Sequence, residues 1–281
     1  MTDQLMGTSE LGAVVPELWA NRTYEVLKTK LCFSDSISRE YEGDISDLGD
    51  ILHVSSVPEF AEADELAEGA SADAIAVTIT DTTLTINKRI VRDFILTKRA
   101  MKQSISKMDA LGEMQAFSIR KKLENLTLAA IAPSTSAPDH DISFDSGTTL
   151  ALADLLEVQE LLNTANVDEQ GRQFKTGSAQ FSDLFNITSY TSSDFRPSSA
   201  GSPMSSGQFA FPIAGFQLDW SSNIGNVGYG YHPSFMQIAA QEDMQVRVYD
   251  RGVTGERSER INCDMLCGYA QFDSSRVVKL S

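Results

Sequence analysis

Apolar residues recur along this chain with two periods, and the switches between them predict its elements. Val15-Pro16-Glu17-Leu18-Trp19 opens a helix running to about Leu31, since proline suits a first helical turn and an acid there complements the dipole. Ala20, Tyr24, Leu27 and Leu31 then fall on one face, a stripe that must dock on something. From Gly49 a turn feeds a strand ending near Val54, and from Ala74 to Ile90 the residues Val77, Ile79, Leu84 and Ile86 alternate with polar ones. The two strands and the acidic, small-residue tip Glu59 to Ala72 read as a long β-hairpin. A two-stranded ribbon is marginal in water, so this one needs another surface.

Arg92 to Thr97 continues the sheet region, and Ser106 to Ala132 forms the longest helix, a rod of about 40 Å. Its stripe is Met108, Leu111, Ile119, Leu123, Leu126 and Ala130, with Gln115 a polar exception. Leu111, Ile119 and Leu126 are expected to face apolar neighbours in the same subunit, and Leu123 to tolerate no charge. Pro133 stops the helix, Ser134 to Gly147 reads as a linker, and Leu150 to Ala165 as a second helix. Tyr190 to Gly207 has loop composition. Strands are expected at Phe209 to Ile213, Phe216 to Trp220, Val227 to Tyr231, Gln245 to Tyr249, Glu259 to Cys267 and Arg276 to Leu280, with a helical turn at Pro233 to Ala240. This order is α+β, without the βαβ alternation of a doubly wound sheet.

Composition narrows the class. With 42% hydrophobic residues in 281 the chain can bury a core, and its net charge of −16 argues against a surface built wholly for nucleic acid. The charge is segregated: Glu40 to Asn87 holds twelve acids and no Lys or Arg, whereas Lys88 to Lys122 holds ten bases and three acids. Solvated faces would account for this, and so would contact between neighbouring copies. No apolar run is long enough for a bilayer and the N-terminus has no signal-peptide pattern, so a cytoplasmic protein without a membrane partner is expected. Cys32, Cys263 and Cys267 then remain thiols, and the sequons at Asn21, Asn125 and Asn186 read as chance.

Candidate chemistry is thin. Phosphate-loop, zincin, nucleophile-elbow and calcium-loop spacings are absent, and His53, His140 and His232 stand far apart. A zinc site from one of them with Cys263 and Cys267 is conceivable, but buried thiols are the simpler reading. Gly225 to Gly230 reads as a turn, and Asp64 with Glu65 as a solvated loop rather than an acid/base pair. No enzyme activity and no cofactor are expected.

The order of several motifs resembles the tailed-bacteriophage major capsid proteins of the Hong Kong 97-like fold. Pro16-Glu17-Leu18-Trp19-Ala20 resembles the start of that family's N-terminal arm, and Arg39-Glu40-Tyr41-Glu42-Gly43 with Leu48 to Val54 the entry to its extended loop. Leu84-Thr85-Ile86-Asn87-Lys88 leading into the Ser106 helix resembles the return of that loop into the spine helix. Leu162 to Arg172 is similar to an axial-domain phrase, with Asp168 where Pro is usual. Ile213 to Leu218, Ser222-Asn223, Tyr229 to Ala239, Leu266 to Tyr269 and Val277 to Leu280 resemble the later axial-domain pattern and closing strands.

The resemblance implies an arm at 1–40, an extended β-hairpin loop at 41–90, and a peripheral domain with the spine helix at 91–140, closed by later strands that include 241–260. Residues 141–281 would then be mainly axial domain. It implies a non-catalytic tile that forms hexamers and pentamers of an icosahedral shell around double-stranded DNA, assembled in a host cytoplasm and found in the virion. Glu59, Glu62, Asp64, Glu65 and Glu68 of the loop would contact a neighbour's basic surface, Lys88, Arg92, Lys98, Arg99 and Lys102, while Trp19, Tyr24 and Leu27 dock the arm. Further partners would be a separate scaffolding protein, a portal, a decoration protein and DNA bound without sequence specificity. The family's cross-linked members need a loop lysine, which Glu40 to Asn87 lacks. An encapsulin-like nanocompartment shell is the alternative on the same fold; a tail or adhesion component, or a hydrolase, lies further off. A tile with projecting parts should expose clearly more than the roughly 12,000 Å² of a compact monomer of this mass.

Overall fold

The computed structural model describes residues 28–43, 50–60, 62–63, 65–67, 69, 71, 76–99, 108–187, 191–192, 207, 209, 212–253 and 256–281. In chain order these hold β1 (Ile51–Ser56), β2 (Thr80–Thr85), β3 (Lys88–Thr97), α1 (Met108–Ala129), β4 (Asp141–Ile142), α2 (Leu152–Thr164), β5 (Gln173–Thr176) and α3 (Ser178–Asp183). There follow β6 (Gln217–Trp220), β7 (Gly228–Tyr231), β8 (Met236–Val253), β9 (Glu256–Gln271) and β10 (Val277–Leu280). The mixture of helix and sheet is the one expected. Among the described residues the strands form three sheets: the ribbon β1-β2, the antiparallel β3-β9-β8, and the mixed β4-β10-β7-β5-β6.

Each ribbon strand alternates, so its register follows from which side chains need cover. β1 and β2 pair from Ile51 with Thr85 to Ser56 with Thr80. At the base Leu84 and Ile86 are buried against Ala239, with Leu52 and Leu266 alongside. There the chain passes so close to β9 that a Cβ on Gly268 would lie 2.3 Å from the Thr85 carbonyl oxygen and 2.9 Å from the Ile86 Cα. The strand expected over Ala74 to Ile90 is shorter than its pattern. Val77 and Ile79 are exposed and outside any strand, and Lys88 already begins β3 in the next sheet.

α1 lies across the three-stranded sheet. Ile119 and Leu123 are buried with Ile90, Ala240, Cys263, Met265 and Cys267, and Leu126 packs at their edge. Gln115 has a reason to interrupt the stripe: its Nε2 donates to the Arg92 and Ile261 carbonyls, each at 3.1 Å, so a polar side chain satisfies sheet backbone beneath a helix. Leu111 corrects the expectation, for it is 37% exposed at the far end of the helix.

The five-stranded sheet is buried on both faces. One side carries Phe174, Val278 and Leu280 under Leu155, Val158 and Leu162 of α2. Asp154, itself buried, steadies the start of that helix by accepting from the Ala151 N–H at 2.6 Å and the Asp145 N–H at 2.9 Å. In β7 the pattern Gly-Tyr-Gly-Tyr divides the work: the glycine side admits Val158, whose Cγ1 a Cβ on Gly230 would meet at 2.4 Å, and the tyrosines face the other way.

That other face is covered by the start of the described chain. The helix expected to Leu31 lies outside the described residues up to 27, and residues 28–31 are not helical. Instead Cys32, Phe33 and Ile37 flank a 3-10 turn at Ser34–Ser36 and bury with Tyr229, Tyr231, Phe235, Met236, Ile238 and Val277. Phe33 lies edge-on to Tyr231 with ring centroids 5.1 Å apart. Glu124, fully buried on α1, accepts the Phe33 N–H at 3.2 Å through Oε2, while its Oε1 has no hydrogen-bond partner in the chain. Burial pushes this carboxyl above its ordinary value, only partly offset by the N–H groups of Phe33, Ser34 and Cys32. Nearby, Lys175 and Asp219 stand opposite each other on β5 and β6, 3.6 Å apart, and Lys30 also pairs with Asp219. Burial pushes Asp219 up, but Lys30, the Trp220 N–H and Lys175 outweigh it and hold the carboxyl below its usual range.

Three further expectations are corrected. Pro233 to Ala240 holds a 3-10 turn only at Pro233–Phe235, after which β8 begins at Met236. The Ser134 to Gly147 linker contains β4, paired with β10, and the buried His140 and Phe144. Ile213 makes only an isolated bridge with Phe216.

Two measurements follow from these contacts. Gly268→Ala sets a methyl against backbone, which cannot swing aside, so it should cost about 3 kcal/mol and speed hydrogen exchange in β1 and β2; unchanged exchange would place the ribbon elsewhere. Because folded Glu124 binds its proton more readily than the unfolded chain does, its charged form carries a penalty that is absent below pH 4.5 and complete above the folded pKa. Stability of the wild type relative to Glu124→Gln should therefore fall as pH rises through that window, in urea titrations from pH 4 to 7. A constant difference would mean the carboxyl is solvated.

Candidate assembly surfaces

Three surfaces lack cover within one chain, and the residue types explain why each must find it elsewhere. The first is the ribbon and its tip. It carries Ile51 at the base and, beyond it, Val57, Phe60, Leu66, Val77 and Ile79, all exposed, with Phe60 at 67%. Glu59, Glu62 and Glu65 are exposed among them and make no ion pair among the described residues; Asp64 and Glu68 lie outside the described residues. Across the strands His53 Nδ1 lies 2.5 Å from Asp81 Oδ2.

The second surface is the seam between β3 and α1. A groove of about 570 Å³ runs between Phe94, Ile95 and Leu96 on one bank and Leu111, Met114 and Phe117 on the other, with Arg92 and Lys121 at its rim. A second groove of about 540 Å³ continues it past Ile90, Ile119 and Leu126 to Lys88 and Lys122. Among the described residues Lys88, Arg92, Lys121 and Lys122 make no ion pair. Two other bases of this block are used internally. Arg89 donates to Asp264 at 2.8 Å, and Lys98 stands 3.4 Å from Asp250 and 3.5 Å from Glu259. Arg99 is exposed, and Lys102 lies outside the described residues.

The third is where the arm leaves. Lys28 reaches Glu113 of α1 at 3.6 Å, so the chain enters along the helix. Trp19, Tyr24 and Leu27 lie outside the described residues. The chain as a whole presents 18232 Å² of accessible surface, about half as large again as the roughly 12,000 Å² of a compact monomer.

The zinc idea finds no geometry. Cys263 and Cys267 sit four residues apart on one strand inside the core, where burial pushes both thiols up, Cys267 to about 11, so that neither offers a thiolate. Among the described residues no three His, Cys, Asp or Glu side chains converge, and no described helix is long and apolar enough to cross a membrane. Sequence reasoning had located the acidic loop and the basic block. It missed Phe60 and Leu66, whose signal was two large apolar residues inside an otherwise acidic tip, and it did not separate bases paired at home from those left free.

No protein-family model matches the chain, and no curated protein sequence does. Solved structures do. A chain from Mycobacterium phage Che8 is 20% identical with a TM-score of 0.78, over 95% of this chain and 97% of that one. A chain of the cyanophage Pam1 capsid asymmetric unit is 14% identical with a TM-score of 0.76, over 100% and 98%. One from the capsid of cyanophage P-SCSP1u is 12% identical with a TM-score of 0.74, over 100% and 95%. The chain therefore has the fold of phage capsid subunits, and the resemblance read from the order of its sequence motifs is borne out at that level.

Proposed function

We propose that this chain is a major capsid protein that assembles into the hexamers and pentamers of an icosahedral shell enclosing double-stranded DNA. The observation that carries the reading is the projecting ribbon: its apolar side chains are exposed to a degree that a lone soluble subunit has no use for, on a fold shared along its whole length with capsid subunits. The role is structural and involves no catalytic step.

On this reading residues 1–40 are an arm, 41–90 the extended loop, and 91–140 with the 241–260 region the peripheral domain, in the Hong Kong 97-like manner, with 141–281 mainly axial. The loop acids Glu59, Glu62, Asp64, Glu65 and Glu68 meet the basic surface of the next copy, with Lys88 and Arg92 as its available cations and Lys98, Arg99 and Lys102 beside them. Trp19, Tyr24 and Leu27 dock the arm. A scaffolding protein, a portal and a decoration protein complete the particle, assembled in a host cytoplasm. DNA is held without sequence preference.

Expression with a scaffolding protein, followed by electron microscopy, tests this directly: closed shells support it, and a persistently monomeric product refutes it. Exposed ion pairs contribute only about 0 to 1 kcal/mol each, so no single acid should matter. Reversing Glu59, Glu62 and Glu65 to Lys together should slow or misdirect assembly without affecting subunit folding. Since the Debye length shrinks to about 3 Å at 1 M salt, salt should slow wild-type assembly, followed by light scattering, more than that of a variant with these acids changed to Gln. An equal salt response would mean the charge blocks are only solvated faces.

A further inference from the structure

We infer that the tip of the extended loop, Pro58 to Gly69, folds into a short amphipathic helix when it docks into the α1–β3 groove of a second copy. This rests on the capsid reading and adds the groove and the bound conformation. The sequence of the tip is a helix sequence in a place where a hairpin continues. Between Glu59 and Glu68 every residue except Phe60 and Asp64 is a strong helix former, and no β-branched residue occurs from Pro58 to Ala74. Pro58 falls in the first turn with Glu59 behind it, and Gly69 follows the last turn, where a residue of positive φ ends helices. Gly69 already holds φ of +87°.

In the single chain, however, the described tip residues 57–60, 62–63 and 65–67 carry no helix. The physical reason is length. A helix of ten residues is marginal in water unless an apolar face is buried, and in the single chain Phe60 and Leu66 are exposed. Wound as a helix, Phe60, Ala63 and Ala67 share one face with Leu66 at its edge, and Glu62, Asp64, Glu65 and Glu68 take the rest.

The α1–β3 groove matches both halves of that pattern. Its lining of Phe94, Leu111 and Met114 would take Phe60 and Leu66, and it also holds Arg92 and Lys121, cations with no ion pair among the described residues, with Lys88 and Lys122 further along. A polyphosphate would use the cations and leave the apolar lining wet; an acidic segment with apolar residues at helical spacing uses both. Helical docking also explains how a tip without strand-forming residues could be held at the end of a β-ribbon.

The test compares free subunits with assembled shells of the full chain by hydrogen exchange, together with Ala63→Pro and the pair Ala63→Gly/Ala67→Gly. Ala63 is exposed and lies in no strand, so these changes should leave the free subunit's melting temperature unchanged. In wild-type shells the amides of residues 62–68 should exchange at least tenfold more slowly than in the free subunit. Ala63→Pro should slow assembly by tenfold or more, since proline opposes a helix interior but suits an extended segment, and the glycine pair should slow it by about the same factor through the loss of helix propensity. Wild-type shells whose tip amides stay fast, or Ala63→Pro subunits that assemble at the wild-type rate, overturn the helix while leaving the capsid reading intact. Wild-type protein that forms no shell overturns the capsid reading and this inference with it.

Discussion

Phe33 is the residue on which the junction of the two larger sheets depends. A five-stranded sheet with Tyr229, Tyr231 and Val277 on one face needs that face covered, and among the described residues the arm root and the start of β8 supply the buried cover, with Ile224 beside them and Leu128, Ala130 and Ile131 at the edge. The root is also tied to its surroundings by hydrogen bonds. Glu124 ties the backbone of the root to α1, Ser38 bridges to Gln237 at the start of β8, and Ser36 shares a hydrogen bond with the buried Tyr231. Removing the root would expose one face of a sheet, leave a buried carboxylate without its N–H partner and unseat a strand. Each of these costs of the order of 1 to 3 kcal/mol or more, which is a large part of a typical stability.

This arrangement fixes where the uncovered surfaces can be. With the root spent inside, Lys28 just before it lies beside α1, 3.6 Å from Glu113. The ribbon is gripped only at its base, where Gly268 lets backbone meet backbone, and everything distal to Leu52 and Leu84 extends into solvent. The subunit therefore has large exposed apolar surface for a structural reason: its cores are concentrated at the sheet junctions, and the projecting parts contribute nothing to them. The packing that holds the described chain together is concentrated at these junctions, and the exposed apolar side chains of the ribbon have no part in it.

Much of this was legible in the sequence because solvent lies on one side of most elements. β1, β2, α1 and α2 each have one wet and one dry face, so their periods show, and the register of the ribbon follows. The failures occur where that condition is lost. Met236 to Ala240 is buried on every side, with Gln237 at 3% and Ala239 at 0%; a strand dry on both faces shows no alternation, and proline ahead of it suggested a helical turn instead. β5 is four residues, too short to show a period, and β4 is two. Leu111 shows the opposite error, since a helix stripe continues in sequence beyond the point where the sheet beneath it ends. Of the candidate contact residues, the sequence showed charge sign and segregation but not allocation. Whether Lys98 or Lys122 is paired depends on β8 and β9, more than a hundred residues later, which bring Asp250 and Glu259 beside the former and, among the described residues, no acid within ion-pair distance of the latter.

On the capsid reading proposed above, that allocation bears on how a subunit of net charge −16 would handle an anionic cargo. Such a tile needs attraction between copies, yet a positive lining would hold DNA against the shell, because phosphate neutralisation is insensitive to sequence and releases counterions at every contact. Pairing Arg89 and Lys98 within the chain removes two cations from the free pool. Placing the unpaired ones along a groove whose apolar lining favours a protein segment directs the remainder toward another subunit's acids. If the tip of each copy enters the groove of the next, every subunit both donates and receives, so the free cations are consumed around the ring and the assembled particle keeps an acidic excess. On that reading the segregation of charge along the sequence serves a single physical purpose: subunits would attract one another at a defined register, and the shell would present no extended positive face to its contents.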